Sequence, residues 1–179
     1  MQPFSTARLH FRPFHETDTA GLFALDSDPA VHRYLGGIDG IGGQLLTDPA
    51  QSREMIHFIQ AQYAANGIGR WAVLLRASGE FMGWAGLKLV AGPLNGHHNF
   101  YDLGYRFRPR YWGLGHGYEA AQAWLDHGFQ ALRLPRICAY ADVNNAGSRR
   151  ILEKVGLQLG NEFTAGGVRC AWYEATAPG

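Results

Sequence analysis

The chain alternates segments in which hydrophobic residues occupy every second position with segments in which they recur every three or four positions. The first pattern is typical of half-buried strands and the second of amphipathic helices. The alternating pattern predicts strands at residues 8–12, 71–75, 81–89 and 100–107. A nearly all-apolar run at residues 136–141 is typical of a central strand. A terminal hairpin is predicted with arms at residues 162–163 and 168–176. The sequence therefore predicts an α/β (α+β) fold with one mixed central sheet.

Five helices are predicted from capping residues and apolar periodicity. They run from Thr17 or Asp18 to about residue 25, over residues 30–35, from Asp48 to Asn66, over residues 119–132, and from Asn145 to Val155. The apolar face of the third helix is expected to consist of Met55, Ile56, Phe58, Ile59 and Tyr63. Gly67 and Gly156 follow two of these helices, at the position where a left-handed glycine ends a helix.

Composition narrows the class of protein. A length of 179 residues without repeats or linkers predicts a single domain over residues 1–179. The net charge of +1 argues against a nucleic-acid binder. No apolar run is long enough to span a membrane, and the first residues do not resemble a signal peptide. Cys138 and Cys170 lie in apolar runs, so we expect buried, inert thiols and a cytoplasmic protein.

Glycine is abundant, with 24 residues, and one glycine cluster has the position of an anion-binding loop. Gly113, Gly115 and Gly117 lie between a predicted strand and a predicted helix. Glycine lets a backbone approach a ligand closely, and the first amides of a helix point outward unpaired, so the segment suits a diphosphate. The spacing matches neither the dinucleotide-binding fingerprint nor a P-loop. A glycine-rich connection without a ligand is the alternative at this point.

Three motifs in order resemble the GNAT acetyltransferases. Residues 102–120 read D-L-G-Y-R-F-R-P-R-Y-W-G-L-G-H-G-Y-E-A and are similar to that family's acetyl-CoA-binding motif. Residues 142–157, with N-A-G-S followed by L-E-K-V-G-L, are similar to its Asn-x-x-Ser helix, and residues 6–14 and 27–29 are similar to its first strand and helix. The resemblance is closest to the RimJ/RimL-like branch and spans most of the chain.

The resemblance implies a fold in which two middle strands of the sheet splay apart. It implies an enzyme that transfers an acetyl group from acetyl-CoA, the acyl donor substrate, to a primary amine by direct attack in a ternary complex, without a metal. The acceptor is a protein N-terminus or a small-molecule amine, and a homodimer is compatible with the branch. The implied cofactor-binding residues are Arg106, Phe107, Trp112, Gly113, Leu114, Gly115, His116, Gly117, Tyr118, Asn145 and Ser148.

The chemistry needs a proton acceptor for the amine, a donor for the oxyanion and a donor for the leaving thiolate. The resemblance implies a backbone amide near Arg106 for the oxyanion, Ser148 for the thiolate and Asp102 for the amine. Each candidate has a structural alternative: Ser148 can serve the cap that Asn145 makes, and Asp102 can form a salt bridge. A water relay, or His97 or the neighbouring His98, is an alternative base.

The sequence departs from the family pattern at three positions. Leu114 stands where a cation is frequent, and Gly117 stands where alanine is frequent. Leu152 stands where several branches have a tyrosine beside the thiol. Arg149 and Arg150 open the last helix and can meet a phosphate or solvent.

Other functions remain compatible with the sequence. One is a GNAT-fold sensor that binds acyl-CoA without turnover, and another is an α/β domain that binds a different diphosphate. On the acceptor side, the glycine cluster at residues 36–43 is interpreted as a mobile loop or lid. Five aromatic side chains are candidates for an acceptor pocket or for the core: Trp71, Trp84, Tyr101, Tyr105 and Trp172.

Overall fold

The computed structural model describes residues 2–35 and 45–178. Within them, eight strands form one sheet in the order β1-β2-β3-β4-β5-β6-β8-β7. The strands are β1 (Phe4–Ser5), β2 (Leu9–Arg12), β3 (Arg70–Leu75), β4 (Phe81–Val90), β5 (Phe100–Phe107), β6 (Arg136–Asp142), β7 (Gln158–Ala165) and β8 (Val168–Thr176). The helices are α1 (Thr19–Asp26), α2 (Pro29–His32), α3 (Pro49–Asn66), α4 (His116–Asp126) and α5 (Ala146–Lys154).

The sheet is antiparallel except where β5 meets β6. These two strands are parallel, and the ladder between them pairs Asp102 with Cys138. By contrast, β5 pairs with β4 along its whole length, from Phe100 to Phe107. Beyond Asp102, β5 is therefore paired with β4 along one edge and separated from β6 along the other. This separation of the two middle strands is the splay that the family resemblance implies, and we call it the opening of the sheet.

Helices cover both faces of the sheet. One face packs its apolar side chains against α4 and α5, and this core contains Leu9, Trp71, Leu87, Leu103, Trp124 and Leu152. The other face packs against α1, α2 and α3 through Ala72, Leu22, Val31 and Ile56. Because side chains alternate along a strand, Asp102, Gly104 and Arg106 of β5 face α1–α3, whereas Leu103 and Tyr105 face α4 and α5.

Local capping explains where α3 begins and ends. Asp48 accepts a hydrogen bond from the Ala50 amide, at 2.8 Å, just before Pro49. Gly67 ends the helix with φ of +67°. The predicted apolar face was wrong at Phe58, which is 45% exposed, because Ser52, Met55, Ile56 and Ile59 form the buried stripe.

Several predicted boundaries were also wrong. The helix predicted from residue 119 begins at His116, because left-handed Gly115 caps it, and it changes to π geometry over His127–Ala131. The second helix ends at His32 rather than at residue 35. Asp18 does not cap α1 through its side chain, since its carboxylate binds Arg12 at 2.7 Å and the His15 amide at 2.8 Å.

Candidate active site

The larger of two adjoining cavities, with a volume of about 560 Å³, lies beside the end of β5. It extends from β5 to the starts of α4 and α5 and to the end of α2. Nine of the eleven predicted cofactor-binding residues line it: Arg106, Phe107, Trp112, Gly113, Gly115, Gly117, Tyr118, Asn145 and Ser148. The side chains that carry charge in this wall are all cationic, namely Arg106, Arg150 and Lys154.

The glycine loop forms one wall of the larger cavity. Gly113 and Gly115 have φ of +72° and +80°, a region that glycine adopts without strain. Gly117 lies in the first turn of α4, where a Cβ would come within 2.9 Å of Ile151 Cδ1. The outward amides of this first turn and the positive end of the helix dipole favour an anion. The chain therefore offers backbone donors to a diphosphate, as CoA requires.

Two predicted cofactor-binding residues do not line either cavity. Leu114 is exposed, and its carbonyl accepts a hydrogen bond from Arg8 Nη1 at 2.8 Å. His116 is buried with its ring edge toward Tyr111, 6.1 Å between ring centroids. Burial, with the nearby charge of Arg8, lowers the pKa of the His116 imidazole. Only the backbone groups of Leu114 and His116 therefore contribute to the wall that the glycine loop forms, and their side chains do not.

The two arginines that open α5 have different surroundings. Arg150 is exposed and lines the larger cavity. Arg149 instead donates to the Tyr173 hydroxyl at 3.0 Å and to the Val143 carbonyl at 3.1 Å. Arg150 is therefore the one of the pair placed to meet a phosphate.

Ser148 stands at the start of α5 in the wall of both cavities. Asn145 Oδ1 accepts a hydrogen bond from the Ser148 amide at 3.1 Å, which is an N-cap. The Ser148 Oγ lies 3.1 Å from the hydroxyl of Tyr105, which reaches across from β5. The cap therefore uses the backbone amide of Ser148, and the Ser148 hydroxyl contacts Tyr105 instead.

The smaller cavity, about 110 Å³, adjoins the larger one and is lined by residues of both β5 and β6. Asp102 lines it and is 3% exposed. Arg70 Nη2 donates to Asp102 Oδ2, and Lys88 Nζ lies 4.0 Å from the same oxygen. The salt bridge that was the alternative for Asp102 is thus present, and a base role has to coexist with it.

A second buried ion pair, between Arg106 and Asp26, lies near the first. Arg106 Nη1 is 2.7 Å from Asp26 Oδ1. The Trp84 ring lies between the two arginines, with its centroid 5.3 Å from the guanidinium carbon of Arg70 and 4.9 Å from that of Arg106. Two buried arginine–carboxylate pairs and the Trp84 ring between them therefore lie together at the smaller cavity.

Of the five aromatic candidates for an acceptor pocket, two line a cavity and three pack in the core. Trp84 lines the smaller cavity and Tyr105 lines both, whereas Trp71 and Trp172 are buried in the core. Tyr101 packs against the main core. His97 stacks on Trp172, with ring centroids 4.7 Å apart, and lines neither cavity.

Several cavity residues were not predicted from the sequence, among them Tyr34, Leu35 and Arg70. Tyr34 and Leu35 follow α2 and line both cavities, and Arg70 lines the smaller one. Arg70 was detectable in principle, because it is a charged residue at the head of the apolar run Trp71 to Leu75. The glycine cluster at 36–43, interpreted as a lid, lies outside the described residues.

In the part of the chain that the structure describes, no group of three or more His, Cys, Asp or Glu side chains is arranged to hold a metal ion. No helix there is both long and apolar enough to cross a membrane.

The comparisons with known proteins agree with this architecture. The family model of the acetyltransferase (GNAT) domain matches residues 8–158. The uncharacterized protein YkkB of Bacillus subtilis is 31% identical over 94% of this chain and 92% of its own. The uncharacterized N-acetyltransferase p20 of Bacillus licheniformis is 28% identical over 88% of this chain and 83% of its own.

A solved structure with the same fold is RimL, a ribosomal L7/L12 α-N-protein acetyltransferase in complex with coenzyme A. It has a TM-score of 0.80 and 14% identity, and the alignment covers 98% of each chain. At that identity the likeness concerns the fold alone. With a family model that matches most of its length and relatives named as N-acetyltransferases, this chain belongs to the GNAT acetyltransferase family and is an N-acetyltransferase.

Proposed function

We propose that this enzyme transfers the acetyl group of acetyl-CoA to a primary amine that attacks it directly in a ternary complex. The observation that carries the proposal is the meeting of two cavities at the opening of the sheet, with Tyr105 and Ser148 in the wall of both. The larger cavity offers a helix start and cationic side chains to a diphosphate. The smaller one accommodates an amino group and the few atoms next to it.

The proposal includes the RimJ/RimL-like branch and an acceptor that is a protein N-terminus or a small-molecule amine. The motifs at residues 102–120 and 142–157 support the branch. Residues 1–179 are proposed to act as a single domain, with a homodimer as the assembly to test. The buried Cys138 and Cys170, which form no disulfide, suit the reducing cytoplasm, where we place the enzyme.

The residues proposed to hold CoA follow from the larger cavity. Backbone groups of the glycine loop bind the diphosphate, including those of Leu114 and His116, whose side chains point elsewhere. Ser148 stabilises the leaving thiolate, and the free edge of β5 near Arg106 supplies the oxyanion donor. The remaining contacts come from Phe107, Trp112, Gly113, Gly115, Gly117, Tyr118 and Asn145.

The test is thermal unfolding with acetyl-CoA, CoA, ATP or NAD, followed by a screen of amines and N-terminal peptides. A ligand at 100 times its Kd stabilises by about 2.7 kcal/mol, which raises the Tm of a chain of this size by several degrees. We expect the increase with acetyl-CoA and CoA only. Arg150→Met should reduce it, whereas Arg169→Met, which removes an exposed partner of Glu162 on the terminal hairpin, should not.

An increase with ATP or NAD but not with CoA would refute the acetyl-CoA site. A CoA-dependent increase with no acetylation of any amine in the screen would refute the choice of acceptor class.

We further propose that Asp102 accepts the proton of the attacking amine, directly or through a water. An alkylamine with a pKa of about 10 is mostly charged at neutral pH, so it must lose a proton to attack. Asp102→Asn is expected to lower kcat about 10²-fold at pH 7. The residual rate should then rise with pH toward the pKa of the acceptor. Equal rates for the wild type and a folded Asp102→Asn enzyme would assign this step to solvent alone.

A further inference from the structure

The hydroxyl groups of Tyr105 and Ser148 contact each other across the opening of the sheet. Tyr105 extends from β5, and Ser148 lies in the first turn of α5. The Tyr105 hydroxyl oxygen lies 3.1 Å from the Ser148 carbonyl oxygen and 3.1 Å from Ser148 Oγ, so its one hydrogen has two acceptors on the same residue. The contact spans the opening where β5 and β6 no longer pair, so it fixes the position of α5 relative to β5.

The elements on both sides of the contact pack closely. A Cβ at Gly117 would be 2.9 Å from Ile151 Cδ1, so the glycine lets α4 approach α5 beside the Tyr105 ring. The Ser148 amide is engaged by the Asn145 cap, which leaves the Ser148 hydroxyl to Tyr105. The two hydroxyl oxygens are therefore supplied by a strand and by the capped start of a helix.

The phenol keeps its proton at neutral pH. Burial raises the pKa of Tyr105 well above its usual value, so the group is a permanent donor rather than an acid that titrates. A serine hydroxyl has one hydrogen to donate, and it accepts through its lone pairs. When the phenol turns its hydrogen from the Ser148 carbonyl to Ser148 Oγ, the serine hydrogen is released to donate to another acceptor in the cavity.

We propose that Tyr105 is a positioning residue that directs the Ser148 hydroxyl toward the thiol sulfur of the acyl donor. The inference rests on the function proposed above. Acetyl-CoA supplies the acyl group and a thiol leaving group. As the new C–N bond forms and the C–S bond breaks, the electron pair stays on sulfur, Ser148 Oγ donates a hydrogen bond to it, and Tyr105 donates to Ser148 without losing its proton. The sulfur is protonated afterwards by solvent.

The wall of the smaller cavity offers few hydroxyl groups near Ser148. Leu152, one turn further along α5, is buried and apolar, so it donates no hydrogen bond there. The phenol that reaches Ser148 comes from β5. Hydrogen bonds to a charged acceptor are roughly twice as strong as neutral ones, and a chain of two donors strengthens each of them.

The test compares Tyr105→Phe, Ser148→Ala and the double variant. Tyr105→Phe is expected to lower kcat about tenfold while KM for acetyl-CoA changes less than twofold. In the Ser148→Ala enzyme, adding Tyr105→Phe should have no further effect, because the phenol acts through the serine. Tyr101→Phe is the matched control. It removes a phenol from the same strand outside both cavities and should leave kcat unchanged.

A second readout requires no turnover. The ultraviolet absorbance of the thiolate, followed against pH in the CoA complex, reports the pKa of the bound thiol, which is about 8.5 for a free thiol. Donation from Ser148 should lower this pKa in the wild type. Tyr105→Phe and Ser148→Ala should each raise it again by similar amounts.

The outcomes separate the two proposals. Absence of CoA binding to the wild type would overturn the proposed function. Normal binding and turnover, with kcat and the thiol titration unchanged by Tyr105→Phe, would overturn the role of Tyr105 alone. An equal tenfold loss from Tyr105→Phe with and without Ser148 would also overturn it, because the phenol would then act independently of the serine.

Discussion

Arg70→Met is expected to lower the free energy of unfolding by about 3–5 kcal/mol, the cost of leaving a buried charge without its partner. Arg70 is 8% exposed and binds Asp102. Its guanidinium also donates to the carbonyls of Gly86 and Asp102. Methionine fills similar volume but donates to none of these acceptors, and Lys88, 4.0 Å from the carboxylate, offers partial compensation at most. Urea denaturation measures the loss.

Arg110→Met is the matched control for this change. Arg110 pairs with Glu80 on the surface, where both side chains are partly solvated. Exposed pairs contribute between 0 and about 1 kcal/mol, so the control should be nearly neutral. Adding Asp102→Leu to Arg70→Met should recover part of the stability, because both charges are then gone. Equal losses from Arg70→Met and Arg110→Met would contradict the buried-pair interpretation.

Gly83→Ala is expected to destabilise the fold by about 4 kcal/mol, at the upper end for a single substitution. A Cβ at this position would lie 2.0 Å from the Arg106 carbonyl oxygen and 2.9 Å from Phe107 Cα. Both atoms belong to the backbone of β5, so no side-chain rotation relieves the contact. The φ of +155° is also one that L-residues rarely adopt. The strands β4 and β5 would have to separate beside the larger cavity.

Gly92→Ala provides the comparison for the second change. No atom lies within 4 Å of a Cβ at Gly92, so the substitution should alter stability by less than about 0.5 kcal/mol. Thermal and urea unfolding of the two variants measure the difference. A Gly83→Ala protein as stable as the Gly92→Ala protein would show that β4 and β5 tolerate the displacement.

The elements that could be predicted from the sequence are those specified by local chemistry. Asp48 and Gly67 mark the ends of α3, and Asn145 and Gly156 mark those of α5. A cap or a left-handed glycine acts within a few residues, so the sequence contains the whole interaction. The two-residue strand β1 was not predicted, because it pairs with β2 through only two residues on each side.

The site was predictable only where it follows a motif. The glycine loop and the start of α5 were located, but the partners across the fold were not. Arg70 and Asp102 are 32 residues apart, and Tyr105 and Ser148 are 43 apart. Such contacts depend on which strands neighbour each other. Likewise, α4 begins three residues earlier than predicted, so His116 belongs to the helix and its ring turns into the core.

Because β5 and β6 pair at a single position, the sheet consists of two smaller units that few backbone hydrogen bonds connect. One contains β1 to β5 and the other β6 to β8. Where sheet hydrogen bonds are missing, α4 and α5 hold the units together by contacting each other and neighbouring strands. A ligand in the seam touches both units and adds to the bonds that join them. Substrate binding should therefore make the two units unfold more nearly as one and slow amide hydrogen exchange on both sides of the seam.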